Sequence, residues 1–190
     1  MERIILIETS TALCSVALME NGSVKAYRES SRPKSHASLT AVFVDEVLKE
    51  CGCGLKDCDA VCVSMGPGSY TGLRVGVSTA KGLCFGAKLP LLAVGTLDTL
   101  AAQAIAEGLL PEGCKYIVPM VDARRMEVYC AVFDTEGHQL TGTEAHSVTE
   151  DSFKEWLEKG EVLFIGDGAG KCTETLQSPQ AHFVQCWTLS

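Results

Sequence analysis

Ile5-Leu6-Ile7-Glu8, near the start of the chain, and Pro119-Met120-Val121-Asp122, far downstream, are two versions of one pattern, an apolar strand that ends in an acid. Each is followed by a polar tight connection, a second apolar strand and a glycine turn at Gly22 or Gly137. Each half then returns to a strand that stops at glycines, Gly66 and Gly68 in the first, Gly166, Gly168 and Gly170 in the second. One such coincidence means little. The same order occurring twice implies a duplicated α/β unit, and a repeat of this kind settles the fold before any single segment does.

The segments between these landmarks fit the same unit. Residues 3–9 form an apolar run suited to a buried strand, 13–19 form another, and Asn21-Gly22 is a strong hairpin signal because both residues tolerate positive φ. A third strand is expected at about 23–29, and a helix over 35–50, where Leu39, Phe43 and Val47 recur at helical spacing and Gly52 and Gly54 end the pattern. Then come a strand at 60–65, a helix at 71–87, a short strand at 90–94 and a helix at 96–107. Leu110-Pro111-Glu112-Gly113 reads as a linker, which divides the chain into lobes at 1–110 and 111–190. The second lobe is expected to have strands at 116–121, 127–133, 138–147 and 162–165, with a helix at about 149–159 carrying Phe153, Trp156 and Leu157.

Composition narrows the function classes. The 190 residues have a formal net charge of −8, which disfavours a broad basic face for nucleic acid, since such affinity rests on clustered Lys and Arg. No apolar run approaches the roughly 20 residues of a transmembrane helix, and the start lacks the regions of a signal peptide, so a cytoplasmic protein with no membrane partner is expected. Ten cysteines are many, yet no pair has C-x-x-C spacing. Several stand where small apolar residues fit, and cysteine commonly behaves as one.

A duplicated βββαβα lobe resembles the architecture of actin, Hsp70 and the sugar kinases, the ASKHA (ribonuclease H-like) fold. In such proteins the first hairpin of each lobe and a glycine-rich turn cup the phosphates of a nucleotide, and the acid ending the first strand orients Mg²⁺ or water. By that resemblance Glu8, Ser10, Gly66, Gly68 and Ser69 are the candidate nucleotide-binding residues. Taken alone, Glu8-Thr9-Ser10-Thr11 reads more readily as an ordinary polar turn capping a strand.

Gly66-Pro67-Gly68-Ser69-Tyr70-Thr71-Gly72-Leu73-Arg74-Val75-Gly76 carries more information. It comes after a strand and opens a helix, where unpaired amides suit an anion. It is neither a P-loop nor G-x-G-x-x-G. Gly72, Gly76, Gly82 and Gly86 each cost about 1 kcal/mol against Ala inside a helix, so compensation is expected. Gly72, Gly76 and Ala80 form a smooth stripe that suits either packing within the core or a subunit interface.

Together with Glu8-Thr9-Ser10 and Asp122-Ala123-Arg124-Arg125-Met126-Glu127-Val128-Tyr129, this motif resembles the TsaB (YeaZ) family over nearly the whole chain, most clearly from 1 to about 133. The resemblance implies a role in forming threonylcarbamoyladenosine on tRNA, as the non-catalytic paralogue and activator of the transferase TsaD, with the ATPase TsaE in a ternary complex. It implies a homodimer when the protein is alone and only indirect contact with tRNA. The contact surface implied is the first two helices, hence Leu39, Phe43, Val47, Gly72, Arg74, Val75 and Gly76. No cofactor is required, and ATP or ADP is the candidate nucleotide at the interface with TsaD. The resemblance also implies a further helix and tail after Ser190.

TsaD-like proteins place two histidines at i and i+4 on the helix after the third strand, where both bind one metal. Here His36 is followed at that spacing by Thr40, and a hydroxyl does not replace an imidazole. No catalytic residue and no metal ligand is therefore assigned. Arg124 and Arg125 either meet an anion or pair with the surplus acids, and pairing is the plainer reading. The rival to the partner role is a stand-alone actin-like ATPase or kinase using the Glu8 turn and the Gly66–Ser69 loop.

Overall fold

The computed structural model describes residues 2–184, so the tail expected after Ser190 lies outside the described residues. The chain forms two compact units that divide between Gly95 and Thr96.

In the first unit, β1 (Arg3–Glu8) pairs antiparallel with β2 (Cys14–Glu20), which pairs antiparallel with β3 (Ser23–Ser30). Asn21 and Gly22 both take positive φ in the β2–β3 turn, as the hairpin signal requires. The chain continues through α1 (His36–Glu50), β4 (Ala60–Ser64), α2 (Tyr70–Ala87) and β5 (Leu91–Val94). Strand β4 pairs parallel with both β1 and β5, giving the sheet order β3-β2-β1-β4-β5. The core is built from Ile5, Ile7, Val16, Leu18, Val61 and Val63 on the strands against Phe43, Val44, Val47, Ala80 and Cys84 on the helices. These positions alternate along the strands and recur at helical spacing along α1, as one-sided burial demands.

In the second unit, α3 (Thr96–Ala106) precedes β6 (Cys114–Asp122), β7 (Glu127–Cys130), β8 (Phe133–Asp134), β9 (Glu144–Ser147), α4 (Lys154–Leu157), β10 (Glu161–Ile165) and β11 (Ala181–Val184). The sheet order is β11-β10-β6-β7-β9, with β8 pairing with β6. With the two-residue β8 left out of the count, the second sheet numbered within its own unit runs 5-4-1-2-3, which is the path of the first, 3-2-1-4-5, read from the other end. The duplication seen in the sequence is therefore a duplication of topology, including the parallel fourth strand beside the first.

Three expectations change. The boundary moves from 110/111 to 95/96, because Leu97, Leu100, Ala101 and Ala104 of α3 are buried against Ile117, Val121, Leu163 and Ile165 of the second sheet. The Leu110–Gly113 stretch is then a turn inside the second unit, closed by the Cys114 amide donating to the Pro111 carbonyl at 3.0 Å. The helix expected over 149–159 is regular only from Lys154 to Leu157, and Phe153 enters it in the left-handed region with φ of 61°. The weak strand at 138–147 keeps only Glu144–Ser147 in the sheet.

The nine cysteines among the described residues are all free. Burial pushes the Cys58 thiol up to about 11 and the Cys130 thiol up to about 12, which holds both as neutral, unreactive packing groups.

Candidate functional site

The end of β1 and the start of α2 meet in the first unit. The Glu8 carboxylate accepts the Ser10 amide at 2.6 Å and so closes the turn locally. Ser69 caps α2, its hydroxyl accepting the Gly72 amide at 3.2 Å. The Ser69 amide, which an anion at this helix end would use, donates instead to the Ser10 carbonyl at 2.6 Å.

The glycines explain how the two segments come so close. A Cβ on Gly68 would lie 2.3 Å from the Ser10 carbonyl oxygen, one on Gly72 would lie 2.1 Å from the Thr9 carbonyl oxygen, and one on Gly76 would lie 2.2 Å from Thr9 Oγ1. The stripe therefore packs inward against the β1–β2 turn. Thr9 and Ser10 are buried, and their hydroxyls have no hydrogen-bond partner among the described residues. The candidate nucleotide residues Glu8, Ser10, Gly66, Gly68 and Ser69 are thus brought together, and Gly66 itself rests against Leu73, 3.0 Å from where its Cβ would be. Together they form a filled contact in which the Ser10 and Ser69 amides already have acceptors inside the chain.

The seven residues expected at a contact surface separate into two groups. Phe43 and Val47 are buried in the core of the first unit, and Gly72 and Gly76 face Thr9. These four serve internal packing, because the α1 stripe that carries Phe43 and Val47 is also the stripe that covers the sheet. Leu39 and Val75 are half-buried and Arg74 is exposed. Of the outward side of α2, where Tyr70, Arg74, Ser78, Lys81 and Phe85 succeed one another at helical spacing and are all exposed, sequence reasoning named Arg74 alone. Phe85 keeps 90% of its surface and Tyr70 keeps 74%, with the Arg74 guanidinium over the Tyr70 ring at 5.3 Å. The periodicity that marks this face is present in the sequence, interleaved with the glycine stripe of the same helix.

At the start of α1, His36 Nε2 lies 3.1 Å from the Thr11 carbonyl oxygen. Thr40 is buried, and its hydroxyl donates back to the His36 carbonyl at 2.7 Å and lies 3.5 Å from Cys14 Sγ. Position 40 is an internal hydroxyl with its hydrogen bonding already committed. Among the described residues, a grouping of metal-ligand types occurs elsewhere, at Asp134, Glu136 and His138 on an exposed turn.

The second unit repeats the close contact. The Gly168 amide donates to the Met120 carbonyl at 2.9 Å, and a Cβ on Gly166 would lie 2.4 Å from the same oxygen. Asp167 Oδ1 accepts the Asp122 amide at 2.9 Å, and burial, with the nearby Asp122 charge adding to it, raises the Asp167 carboxyl above the usual range. Lys171 pairs with the Asp122 carboxylate and also donates to the Glu127 carbonyl at 2.7 Å. The acid that ends β6 is therefore neutralised by a lysine of the same chain. Arg124 and Arg125, for which pairing with acids was the plainer expectation, make no ion pair among the described residues.

Sheet order, duplication and the glycine contacts define the class: a mixed α/β protein of the actin-like, ribonuclease H-like fold. Residues 30–178 match the TsaD family, described as tRNA N6-adenosine threonylcarbamoyltransferase. The chain is 35% identical to the tRNA threonylcarbamoyladenosine biosynthesis protein TsaB of Escherichia coli over 170 residues, covering 87% of this chain and 71% of that protein. It is 33% identical to TsaB of Bacillus subtilis over 172 residues, covering 86% of this chain and 70% of that protein. Among solved structures, YeaZ from Pseudomonas aeruginosa superposes with a TM-score of 0.83 at 28% identity, over 97% of this chain and 84% of that one. The chain belongs to the TsaB (YeaZ) family, within the broader TsaD-like fold. No helix of the described residues is long and apolar enough to cross a membrane.

Proposed function

We propose that this chain acts in forming threonylcarbamoyladenosine on tRNA as a non-catalytic partner that binds and activates TsaD. The observation that carries the reading is Thr40. At the place where the resemblance puts a second metal-binding imidazole, the chain has a buried hydroxyl bonded to its own helix. Such a site supplies no Lewis acid to polarise an acyl donor. The filled contact between the Glu8 turn and the α2 cap supports the same reading over a stand-alone ATPase, because the Ser69 amide and the Gly68 surface that a phosphate would need are used by Ser10.

The contact surface for TsaD, and for a second copy when TsaD is absent, is the outward side of α2, centred on Tyr70, Arg74 and Phe85 and flanked by Leu39 and Val75. Aromatic and arginine side chains exposed on a rigid helix are the groups that carry most binding energy at interfaces. TsaE joins through this pair, tRNA is held chiefly through TsaD, and the interface with TsaD is a site for ATP or ADP.

The test is binding of TsaD by the intact chain and by Phe85→Asp and Arg74→Glu. Each variant is expected to weaken the complex at least about tenfold with no loss of thermal stability, because neither side chain is in the core. Full-strength binding by both variants removes this surface. Failure of the unaltered chain to bind TsaD at all removes the partner role.

A further inference from the structure

In the second unit, every lysine has a partner: Lys115 the Lys159 carbonyl, Lys154 the Asp151 carboxylate, Lys159 the Glu155 carboxylate and Lys171 the Asp122 carboxylate. The two arginines of that unit, Arg124 and Arg125, have none among the described residues, although the protein carries a net charge of −8. Both are exposed in the turn between β6 and β7.

Their backbone is as unusual as their isolation. Arg124 has φ of 72° and Arg125 has φ of 47°. Two successive left-handed residues are the province of Asn-Gly or Gly-Gly, and a long side chain at both positions is disfavoured. The turn is held there by the Arg124 amide donating to Asp122 Oδ1 at 3.0 Å, the Glu127 amide to the Arg124 carbonyl at 3.1 Å and the Ala123 amide to the Glu127 carbonyl at 3.1 Å. A strained conformation that its surroundings enforce, and that a glycine would relieve, points to a task for the side chains.

The turn borders a concavity of about 530 Å³ lined by Arg124, Arg125, Met126, Glu127, Ser147 and Val148. Lys171 neutralises Asp122 beside it, so that acid does not repel an incoming anion. Ser147 contributes a hydroxyl donor. Two guanidiniums present planar donor pairs that match the oxygens of a tetrahedral oxyanion.

We propose that the Arg124–Arg125 turn binds a phosphate group, held by both guanidiniums and the Ser147 hydroxyl. The site belongs to this chain alone and does not depend on the partner role. The phosphate comes either from a nucleotide or from an RNA backbone.

The test titrates ADP and unmodified tRNA separately into the intact chain, the double glycine variant Arg124→Gly/Arg125→Gly, and the double glutamine variant Arg124→Gln/Arg125→Gln. Both variants are expected to lose at least about tenfold in affinity for the ligand that binds. The glycine variant is expected to melt about 2–4 °C higher than the unaltered chain, because the backbone strain is relieved. Loss confined to tRNA, with a salt dependence shallower by about one to two phosphate contacts, assigns the backbone. Loss with ADP assigns the nucleotide. Equal affinity in all three proteins, no binding of either ligand to the unaltered chain, or a lower melting point in the glycine variant overturns the proposal.

Discussion

Glu8-Thr9-Ser10 and Asp122-Ala123-Arg124-Arg125 leave equivalent strands of a duplicated fold, each beside a glycine-rich turn from the parallel fourth strand. In the first unit the turn is sealed: Thr9 and Ser10 are buried, α2 lies on them through Gly72 and Gly76, and the Ser69 amide is used by Ser10. In the second unit the turn projects: Arg124 and Arg125 are exposed on left-handed backbone, and the acid before them is neutralised by Lys171. The difference lies in the element that comes after the glycines. An 18-residue helix starts at Tyr70 and presses on the first turn, whereas only a three-residue helical turn, Gly170–Cys172, comes after Gly168. One copy of the fold packs a long helix onto its first turn, and the other leaves that turn exposed.

The largest effects are expected at the glycines. Gly72→Ala puts a methyl group 2.1 Å from a backbone oxygen, and Gly76→Ala puts one 2.2 Å from Thr9 Oγ1. Each is expected to cost about 3 kcal/mol in urea unfolding. Gly168→Ala, in the glycine turn of the second unit, meets its nearest atom at 3.1 Å and is expected to cost about 1 kcal/mol. A larger loss at Gly168 than at Gly72 would reverse the assignment of the sealed turn.

Asp167 gives a smaller effect with a defined pH dependence. Its carboxyl is raised from 3.8 by burial, so the folded chain holds that proton more tightly than the unfolded chain does. This contribution to stability is fully present below about 3.8 and is lost as pH rises through the folded value. Asp167→Asn keeps the oxygen that accepts the Asp122 amide and removes the charge. It is expected to be more stable than the unaltered chain near pH 7 and indistinguishable from it below the pKa of the unfolded carboxyl. An equal gain at acid pH would show that charge is not the cause.

Gly82 is the control for Gly72 and Gly76 on the same helix. A Cβ there meets nothing within 4 Å. Gly82→Ala is therefore expected to raise stability by about 0.5–1 kcal/mol, the intrinsic helix preference of alanine with no packing term against it. A loss would mean that α2 needs its glycines for a reason other than the Thr9 contact.

Much of this is legible in the sequence. The repeat of an acid-ended strand predicts the duplicated topology, and the spacing of Leu39, Phe43 and Val47 predicts α1. The meaning of apolar and small residues is not legible in the same way. Phe43, Val47, Gly72 and Gly76 mark a face, but periodicity does not say whether that face meets its own sheet or another molecule. The boundary at 110 failed because a turn rich in Pro and Gly looks like a linker, while the burial of Leu97, Leu100 and Ala104 under the second sheet is a tertiary fact. The strain at Arg124 and Arg125 could not be read at all, since arginine carries no signal for left-handed backbone.

Threonylcarbamoyl transfer to tRNA, measured with this chain alone, with TsaD alone and with the two together, separates a partner from a catalyst. The partner role predicts no transfer by the chain alone and faster transfer by TsaD when the chain is added. Transfer by the purified chain without TsaD would contradict it.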